Sequence, residues 1–496
     1  MTAFHTDPSV ILERLAGLRE ADAPTHGGRV LSYVYDSGLA ELDELAASAM
    51  RLVQPVNGLD PTTFTSVAVM EREVVGFARD LLGGDADVVG SVTTGGTESC
   101  LLAVKTARDN WSGVGAPRLL APVTVHAAFH KAAHYFGLEL DLVPVGPDGR
   151  VSASAIIDRL GADVALVVVS APSYPHAAID PVAEVAAAAL AFGVDCHVDA
   201  CIGGLVLPFW PGLSPWDLRV EGVTSLSADL HKFGYAPKGA SVLLQRGRDR
   251  QRSQYFATTR WPGYPVVNST TLGSKSAGPL AAAWAIVHAL GTDGFGELAA
   301  SCLRSTDALV TLVGSIEGLR VVGSPVGPLF AVTSDESIAA SERVDPHHWA
   351  DQVRSHGWLL QLQPGLAQAD GTRLPHTTHL TITPVTEGRL AELSAVLVQS
   401  ADEVRGIPPV SAGDVLGALP PELVAGLSSP DAPPLDAESA FGLLAAIGLG
   451  NSVDGDRGSG ALPDRMAPFL ALVEALPAPL TERLLTELLA RLVEPA

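Results

Sequence analysis

The chain has 496 residues, with 32 Lys or Arg against 55 Asp or Glu, and its formal net charge is −23 at neutral pH. This acidity argues against a nucleic-acid binder, which neutralises phosphates with basic side chains. Hydrophobic residues make up 47% of the chain, a fraction typical of folded globular proteins.

The N-terminal region, residues 1–60, has a helical pattern over 10–20 and a short apolar stretch over 29–35. Its first ten residues have neither a basic nor an apolar segment of a secretory signal. No apolar run in the chain reaches the roughly 18 residues that a membrane helix needs. We therefore expect a cytoplasmic protein without a membrane span.

Residues 61–291 alternate short apolar runs with Ala-rich helical stretches. This alternation predicts βαβ units and a large α/β domain with a mostly parallel sheet. The predicted strands cover 119–123, 141–145, 164–170, 194–198, 225–227 and 240–244, and the predicted helices cover 67–82, 98–111, 129–137, 182–192 and 278–290.

Residues 292–408 have longer helices between separated strands, which predicts a small α+β domain packed on the first. Its predicted strands cover 319–322, 329–332, 358–363 and 379–383.

Residues 409–496 form a tail rich in Pro, Gly and Leu, with twelve acidic and four basic residues from position 412 onward. Leu at helical spacing over 467–493, interrupted by Pro477 and Pro479, predicts two short amphipathic helices. We interpret the tail as a docked helical appendage or an interaction segment without chemistry.

Lysine is scarce in this chain, since Arg supplies most of the 32 basic residues. Only an amine can form an imine and lose its proton on burial, so each Lys is a candidate for a task that Arg cannot perform. The five lysines are Lys105, Lys131, Lys232, Lys238 and Lys275.

Three segments of the large domain carry candidate chemistry. Residues 93–99, TTGGTES, lead into a predicted helix, where small residues and the helix N-terminus suit an anion such as phosphate. Asp199 ends a predicted strand, and Lys232 lies in SADLHKFGYAPKG. Taken singly, a Gly-Gly segment before a helix is more often an ordinary turn, and an Asp at a strand end is a common turn former. Together they supply an imine-forming lysine, an acid for a pyridinium nitrogen and a phosphate site, as pyridoxal phosphate requires.

The ordered segments SVTTGGTESCLLAVKTARD, VHAAFHKAAHYFG, SAPSYPHAAIDPV, HVDACIGG and SLSADLHKFGYAPKGASVLL also resemble a known family. They are similar to the group II pyridoxal phosphate-dependent decarboxylase superfamily, and within it to sphingosine-1-phosphate lyases. The resemblance covers about 29–290 and continues faintly to about 383, leaving the tail outside. It implies a fold type I enzyme of the aspartate aminotransferase type, pyridoxal 5′-phosphate as cofactor, an amine or amino-acid substrate and a homodimer.

The resemblance also implies roles for individual residues. Lys232 matches the Schiff-base lysine, Asp199 the pyridinium partner and His126 the histidine stacked on the cofactor ring. On the substrate side, Lys238 matches a second lysine and Tyr35 a tyrosine. The further cofactor contacts that it implies are Gly96, Thr97, Ser170 and His231, with Thr270 and Ser274 in a segment that approaches the neighbouring subunit's cofactor.

Two departures bear on the substrate. Asp60 stands where the lyases have a histidine implied in holding the substrate's phosphate, and an acid there would repel a phosphate. Lys275 stands in GSK where the family usually has GSR. Both departures weaken the case for a phosphorylated substrate.

A metal site is the competing interpretation of part of this region. His126, His130 and His134 recur at a spacing of four, which would place them on one face of a helix. No carboxylate completes an H-E-x-x-H motif, and the four cysteines lack a C-x-x-C pair, so we expect no metal and no disulfide framework. The cysteines are interpreted as buried small hydrophobic residues.

The sequence thus predicts a carbon–carbon lyase that decarboxylates an amino acid through a Lys232 Schiff base. Retro-aldol cleavage of an amino alcohol, phosphorylated or not, is the alternative reaction. A pyridoxal phosphate-binding protein without turnover is the alternative of another class.

Overall fold

The structure of the protein is a computed structural model that describes residues 4–417, 436–446 and 465–495. Its main sheet has seven strands, β1 Val88–Thr93, β2 Arg118–Pro122, β3 Glu139–Val143, β4 Val164–Ser170, β5 Asp195–Asp199, β6 Ser225–Ala228 and β7 Ser241–Arg246. They lie in the order β1-β7-β6-β5-β4-β2-β3. Strand β7 is antiparallel to its neighbours β1 and β6, and all other pairs are parallel. The predicted mostly parallel sheet is confirmed.

Helices cover both faces of this sheet, which explains why β4 is an uninterrupted apolar run buried along its whole length. Two of them, α5 and α7 in the list below, end at Gly137 and Gly193 with φ of 71° and 69°, the left-handed conformation that favours glycine. The helices are α1 Pro8–Arg19, α2 Ala40–Leu52, α3 Thr65–Leu81, α4 Gly96–Asn110, α5 Ala127–Phe136, α6 Ala153–Ile157, α7 Val182–Phe192, α8 Arg248–Gln254 and α9 Gly278–Ser315.

Strand β1 is the clearest element that the pattern does not predict. Gly90 and Ser91 interrupt its apolar run, and as an edge strand it pairs only with β7. A Cβ at position 90 would lie 2.7 Å from the Leu243 carbonyl oxygen, so close approach of β7 requires a glycine in mid-strand. The six predicted strands and five predicted helices of this region all occur, with ends shifted by a few residues.

A second sheet of four antiparallel strands forms the smaller α+β unit. Its strands are β10 Leu319–Val321, β11 Leu329–Ser334, β12 Gln361–Gln363 and β15 Thr377–Thr381, in the order β10-β11-β15-β12. Helices α10 Pro346–Ser355 and α11 Leu390–Val404 pack on it. Two short exposed hairpins, which the sequence did not predict, are β8 Phe256–Thr258 with β9 Val266–Asn268 and β13 Leu366–Ala367 with β14 Arg373–Leu374.

Helix α9 connects the two hydrophobic cores. It is broken at Gly291, where φ is 54° and ψ is −170°, at the position of the predicted domain boundary. The residues that follow the break, up to Cys302, still pack in the large core. From Leu309 onward the buried residues of α9 belong to the small core. Leu31 of the N-terminal region also lies in the small core.

The tail contains α12 Ala412–Gly417, α13 Ala437–Ala446, α14 Ala467–Ala475 and α15 Ala478–Val493. The two helices predicted around Pro477 and Pro479 are confirmed as α14 and α15. Residues 418–435 and 447–464 of the predicted tail lie outside the described residues. No helix in the described part of the chain is long and apolar enough to cross a membrane.

Candidate active site

A cavity of about 680 Å³ lies at the edge of the main sheet. Residues that follow β1, β2, β5 and β6 line it, and these four strands point in the same direction. Their carboxyl ends therefore meet there, which is where open α/β sheets bind ligands. Of the predicted site residues, the cavity is lined by Gly96, Thr97, His126, His231 and Lys232.

The phosphate cradle predicted at 93–99 forms the first turn of α4. Gly95, with φ of 148°, precedes the helix, and a Cβ on Gly96 would lie 2.5 Å from Asp229 Oδ2. The first N–H groups of a helix have no partner within it and carry partial positive charge. Glycine at these positions lets the backbone present those groups to the cavity.

Glu98 fastens this cradle to another segment of the chain. Its Oε2 accepts hydrogen bonds from the Thr94 N–H at 2.7 Å and the Thr94 hydroxyl at 2.8 Å. Its Oε1 accepts from the Thr271 N–H at 2.7 Å and from the Thr271 hydroxyl. The cradle and residue 271, far apart in sequence, are therefore held together by one buried carboxylate.

Lys232 lies in the turn after β6, with its Nζ 2.9 Å from Asp229 Oδ2. Burial opposes the charge of Lys232, but the negative neighbours, Asp229 first among them, outweigh it and raise its pKa well above the usual value. In this state the amine is held as an ammonium ion. His231, beside it, has its Nε2 3.7 Å from Asp229 Oδ2, and burial lowers its pKa.

His126 caps helix α5, because its Nδ1 accepts a hydrogen bond from the Ala128 N–H at 3.1 Å. It therefore precedes the helix, and only His130 and His134 lie within it. Among the described residues the three imidazoles do not form a group able to share one metal ion. The capping bond fixes the ring of His126 at the wall of the cavity.

Asp199 and Ser170 are paired across the ends of β5 and β4. Both are buried, and Asp199 Oδ1 accepts a hydrogen bond from the Cys201 N–H at 3.0 Å. Cys201 lines the cavity, and a carboxylate oxygen of Asp199, which is not itself a lining residue, lies within 4.8 Å of the Cys201 Sγ.

Tyr35 and Lys238 lie together beside the turn that carries Lys232. Lys238 Nζ is 4.7 Å from the centre of the Tyr35 ring and donates to the carbonyl oxygens of Tyr33 and His231, at 3.0 and 3.3 Å. Burial and the neighbouring Lys232 ammonium lower the pKa of Lys238 to about 8. Burial raises the pKa of Tyr35 to about 12.

Thr270 is buried beside the cavity-lining Thr271, whereas Ser274 is exposed and lies with Asn57, its Oγ 3.3 Å from Asn57 Nδ2. Within one chain the structure does not bring Ser274 to the cavity. The Lys275 backbone lies in the same place, since its carbonyl oxygen accepts from the Gly58 N–H.

The hydrogen-bond partners of Asp60 are close to it in the sequence. Its carboxylate accepts hydrogen bonds from the hydroxyl and N–H groups of both Thr62 and Thr63. These bonds lower the pKa of Asp60 to about 2. Asp60 does not line the cavity of its own chain, and its carboxylate is engaged by these threonine groups.

The sequence interpretation missed four residues of this site. Asp229 was identifiable in principle as an acid three positions before the candidate lysine. Glu98 and Thr271 are far apart in the sequence, and their contact forms only when the chain folds. Tyr174 lies in the segment SAPSYPHAAIDPV, but the sequence interpretation gives it no role. Its ring stacks on His379 with 4.3 Å between the ring centres. Burial and the nearby Tyr35 raise the pKa of Tyr174.

The residues fit pyridoxal phosphate. The cavity offers an amine at Lys232 and unpaired helix N–H groups at Gly96 and Thr97, and the Asp199 carboxylate lies within 4.8 Å of the Sγ atoms of the lining residues Cys100 and Cys201. Two buried polar atoms, Asp229 Oδ1 and His231 Nδ1, have no hydrogen-bond partner, as expected of a site made to contact a polar ligand.

Comparisons with known proteins agree with this geometry. A family model described as the pyridoxal-dependent decarboxylase conserved domain matches residues 56–317. A second model, described as "Pyridoxal-dependent enzyme, C-terminal putative HTH domain", matches residues 416–491. The chain is similar to the sphingosine-1-phosphate lyase of Dictyostelium discoideum, with 35% identity over 68% of this chain and 65% of that protein. The lyase of Arabidopsis thaliana is 33% identical over 85% of this chain and 76% of its own length.

Among solved structures, the Burkholderia pseudomallei sphingosine-1-phosphate lyase has a TM-score of 0.75 and 32% identity, covering 82% of this chain and 93% of that one. A Lactobacillus brevis glutamate decarboxylase, at a TM-score of 0.70 and 18% identity over 83% and 96% of the two chains, shares the fold. The chain spans 65% and 61% of the lengths of the slime-mould and rat lyases.

The fold and the site together identify the class of this protein, which is a pyridoxal phosphate-dependent enzyme of fold type I. The predicted fold class and cofactor are thereby confirmed. Within that class, the chain belongs to the pyridoxal-dependent decarboxylase family, and the two curated relatives named above are sphingosine-1-phosphate lyases.

Proposed function

We propose that this protein is a pyridoxal phosphate-dependent lyase that cleaves a phosphorylated β-hydroxy amine into an aldehyde and a smaller amine. This is the second of the two reactions predicted from the sequence, and it matches the names of the curated relatives. The observation that carries it is Lys238, a second amine beside Lys232 whose pKa is lowered to about 8.

Retro-aldol cleavage needs a base, whereas decarboxylation does not need one at this place. The hydroxyl on the carbon next to Cα must lose its proton as the carbon–carbon bond breaks. An amine with a pKa near 8 is partly neutral at physiological pH and can accept that proton. Lys238 is oriented for this task by the carbonyl oxygens of Tyr33 and His231.

The other residues would hold and orient the cofactor. We assign Lys232 to its aldehyde carbon, the N–H groups of Gly96 and Thr97 to its phosphate, Asp199 to its ring nitrogen and His126 to its ring face. When bound, pyridoxal phosphate supplies an electron sink for the electrons of the broken bond. Ser170, His231 and Thr270 would complete the walls of the site.

The proposed reaction is tested with a substrate panel on the purified enzyme. We expect aldehyde release from phosphorylated β-hydroxy amines and no carbon dioxide from the common amino acids. Carbon dioxide release without aldehyde would establish the decarboxylase instead. Lys232→Ala should abolish turnover, whereas Lys105→Ala, a lysine paired with Asp109 on α4, should retain it. Full turnover of Lys232→Ala would reject Lys232 as the imine-forming residue and, with it, the proposed pyridoxal phosphate chemistry.

We also propose a homodimer, in which Ser274 approaches the partner's cofactor. In support, no residue of α1 is buried, and its apolar side chains at Ile11, Leu12 and Leu15 are exposed by 54%, 65% and 54%. Such exposure of neighbouring apolar side chains is typical of a subunit interface. Light scattering coupled to gel filtration should give twice the 51.3 kDa chain mass; a monomer at micromolar concentration would contradict the proposal.

A further inference from the structure

Two cysteines that line the cavity lie close to a buried carboxylate behind them. Cys100 comes from the second turn of α4, Asp199 from the end of β5, and Cys201 from the turn that follows it. The three residues are exposed by only 1%, 7% and 8%. Their two Sγ atoms and one carboxylate oxygen lie within 4.8 Å of one another. Across the described residues, no other three Cys, His, Asp or Glu side chains form such a group.

The surrounding structure holds these groups in place. Cys201 donates its N–H to Asp199 Oδ1 at 3.0 Å and its thiol to Ser227 Oγ at 3.2 Å. Cys100 is fixed by helix α4, which Glu98 ties to the cavity wall. The set is therefore preorganised, and both cysteines line the cavity through which a small ligand enters.

We propose that Cys100, Asp199 and Cys201 bind a thiophilic divalent cation, such as Zn²⁺ or Cd²⁺, in the cofactor-free enzyme. Thiolate and carboxylate are ordinary zinc ligands, at about 2.3 and about 2.1 Å from the metal. Ligand atoms at those distances around one ion lie about 3.5–4 Å from one another, so small side-chain movements complete the site. The cation displaces the two thiol protons to solvent, and a water molecule takes the fourth position.

The local charges favour this occupant. Asp199 and Asp229 surround the thiols with carboxylates, while the Lys232 ammonium is engaged by Asp229. A divalent cation is attracted to such a group.

Metal and cofactor should compete, a consequence that rests on the proposed role of Asp199 at the cofactor ring. A cation that holds this carboxylate blocks the place of the ring nitrogen. Pyridoxal phosphate, once bound, covers these groups and excludes the cation. The cation would thus act before cofactor loading and not on the loaded enzyme.

Cadmium binding to the full-length protein tests the site. We expect cofactor-free protein to bind one Cd²⁺ per chain with a thiolate-to-cadmium ultraviolet absorption band. Cys100→Ser and Cys201→Ser should each weaken binding by at least about tenfold, since each removes a ligand. Cys302→Ser is the matched control, a buried cysteine outside the group, and should bind as the wild type does.

A second measurement needs no variant. X-ray absorption of the wild-type cadmium complex should show two sulfur ligands; a spectrum with only oxygen and nitrogen ligands would overturn the site, as would unchanged binding in Cys100→Ser. Holoenzyme should take up no Cd²⁺ at this site. Equal uptake by holoenzyme, with the cysteine variants still impaired, would uphold the site and reject the role of Asp199, whereas the substrate panel tests the reaction separately.

Discussion

At the residue scale, the site depends on how two lysines are treated differently. Lys232 is paired with Asp229 and kept charged, whereas the Lys238 Nζ contacts carbonyl oxygens and an aromatic ring and lies near the Lys232 ammonium. The scarcity of lysine made all five lysines candidates, and the family resemblance then assigned roles to these two. Their opposite pKa shifts were not predictable, because they depend on burial and on Asp229, which the turn after β6 brings back to Lys232.

The pH dependence of turnover should report Lys238. As a base it must be neutral, so the rate should rise with pH through the pKa of about 8 and level off above it. Lys238→Arg remains protonated at every accessible pH and should lower the rate by about 10²–10⁴-fold. The check is aldehyde release from about pH 6 to about pH 10, with Lys105→Arg as control. A Lys238→Arg enzyme with the wild-type profile would exclude Lys238 as the base.

Asp229 should control how readily Lys232 reacts. Without its charge, burial dominates and the pKa of Lys232 falls, so more amine is neutral at pH 7. Removing an opposite charge at this distance changes a pKa by about 1–3 units, and cofactor-free Asp229→Asn should therefore take up pyridoxal phosphate at least about tenfold faster. Uptake is followed by absorbance. Asp109→Asn, which removes the partner of Lys105, should leave the rate unchanged.

At the element scale, the N-terminus of α4 is the part that we propose to bind the phosphate, and its position depends on the Glu98 side chain. The TTGGTES pattern predicted the cradle, because small residues before a helix are a signal that the local sequence contains. The Glu98–Thr271 contact joins residues 173 positions apart and has no local signal. Strand β1, which leads into α4, escaped prediction for the related reason that its Gly90 serves contact with a distant strand.

Removal of the Glu98 carboxylate should loosen the cradle. Glu98→Ala takes away the acceptor of four hydrogen bonds and leaves the donors of Thr94 and Thr271 unsatisfied. We expect at least about tenfold weaker retention of pyridoxal phosphate, since an unsatisfied buried donor costs about 1–3 kcal/mol. Equilibrium dialysis measures it. The control is Glu44→Ala, which removes an exposed glutamate on α2. Equal retention in both variants would show that the hydrogen bonds of Glu98 to Thr94 and Thr271 are dispensable.

At the scale of the whole molecule, the tail is fastened to the small domain by charged groups. Asp351 of α10 accepts the N–H groups of Met466 and Ala467 at the start of α14, at 2.8 and 3.0 Å. Arg373 meets Glu474 of the same helix at 2.6 Å. The docked appendage predicted from the sequence is thus described for α14, although no sequence pattern identified the residues that hold it.

This attachment should weaken at alkaline pH. His376 lies 2.6 Å from Asp345 and 4.0 Å from Glu474. Burial alone would lower the pKa of His376, but Asp345 outweighs it and raises the pKa. Its contribution is therefore complete below the unfolded value of about 6.5 and is lost as pH rises through the raised pKa. The Asp345 partner, with a lowered pKa, loses its part only in acid.

Hydrogen exchange in α14 should show this loss. We expect the protection factors of residues 467–475 to fall between about pH 6 and about pH 9 in the wild type. His376→Gln should have low protection throughout and little pH dependence. The control segment is α7, which is remote from these charges. A pH-independent α14 in the wild type would contradict the role of His376.

Helix α9 has a consequence for how the molecule unfolds. Beyond Gly291 a single helix is shared by both hydrophobic cores, from Phe295 in one to Val313 in the other. If either core unfolds, this helix loses apolar contacts, and the packing of the other core depends on the same helix. We therefore expect the two units to unfold in one cooperative calorimetric transition. A destabilising substitution in the small domain, far from the cavity, should then also cause loss of bound cofactor.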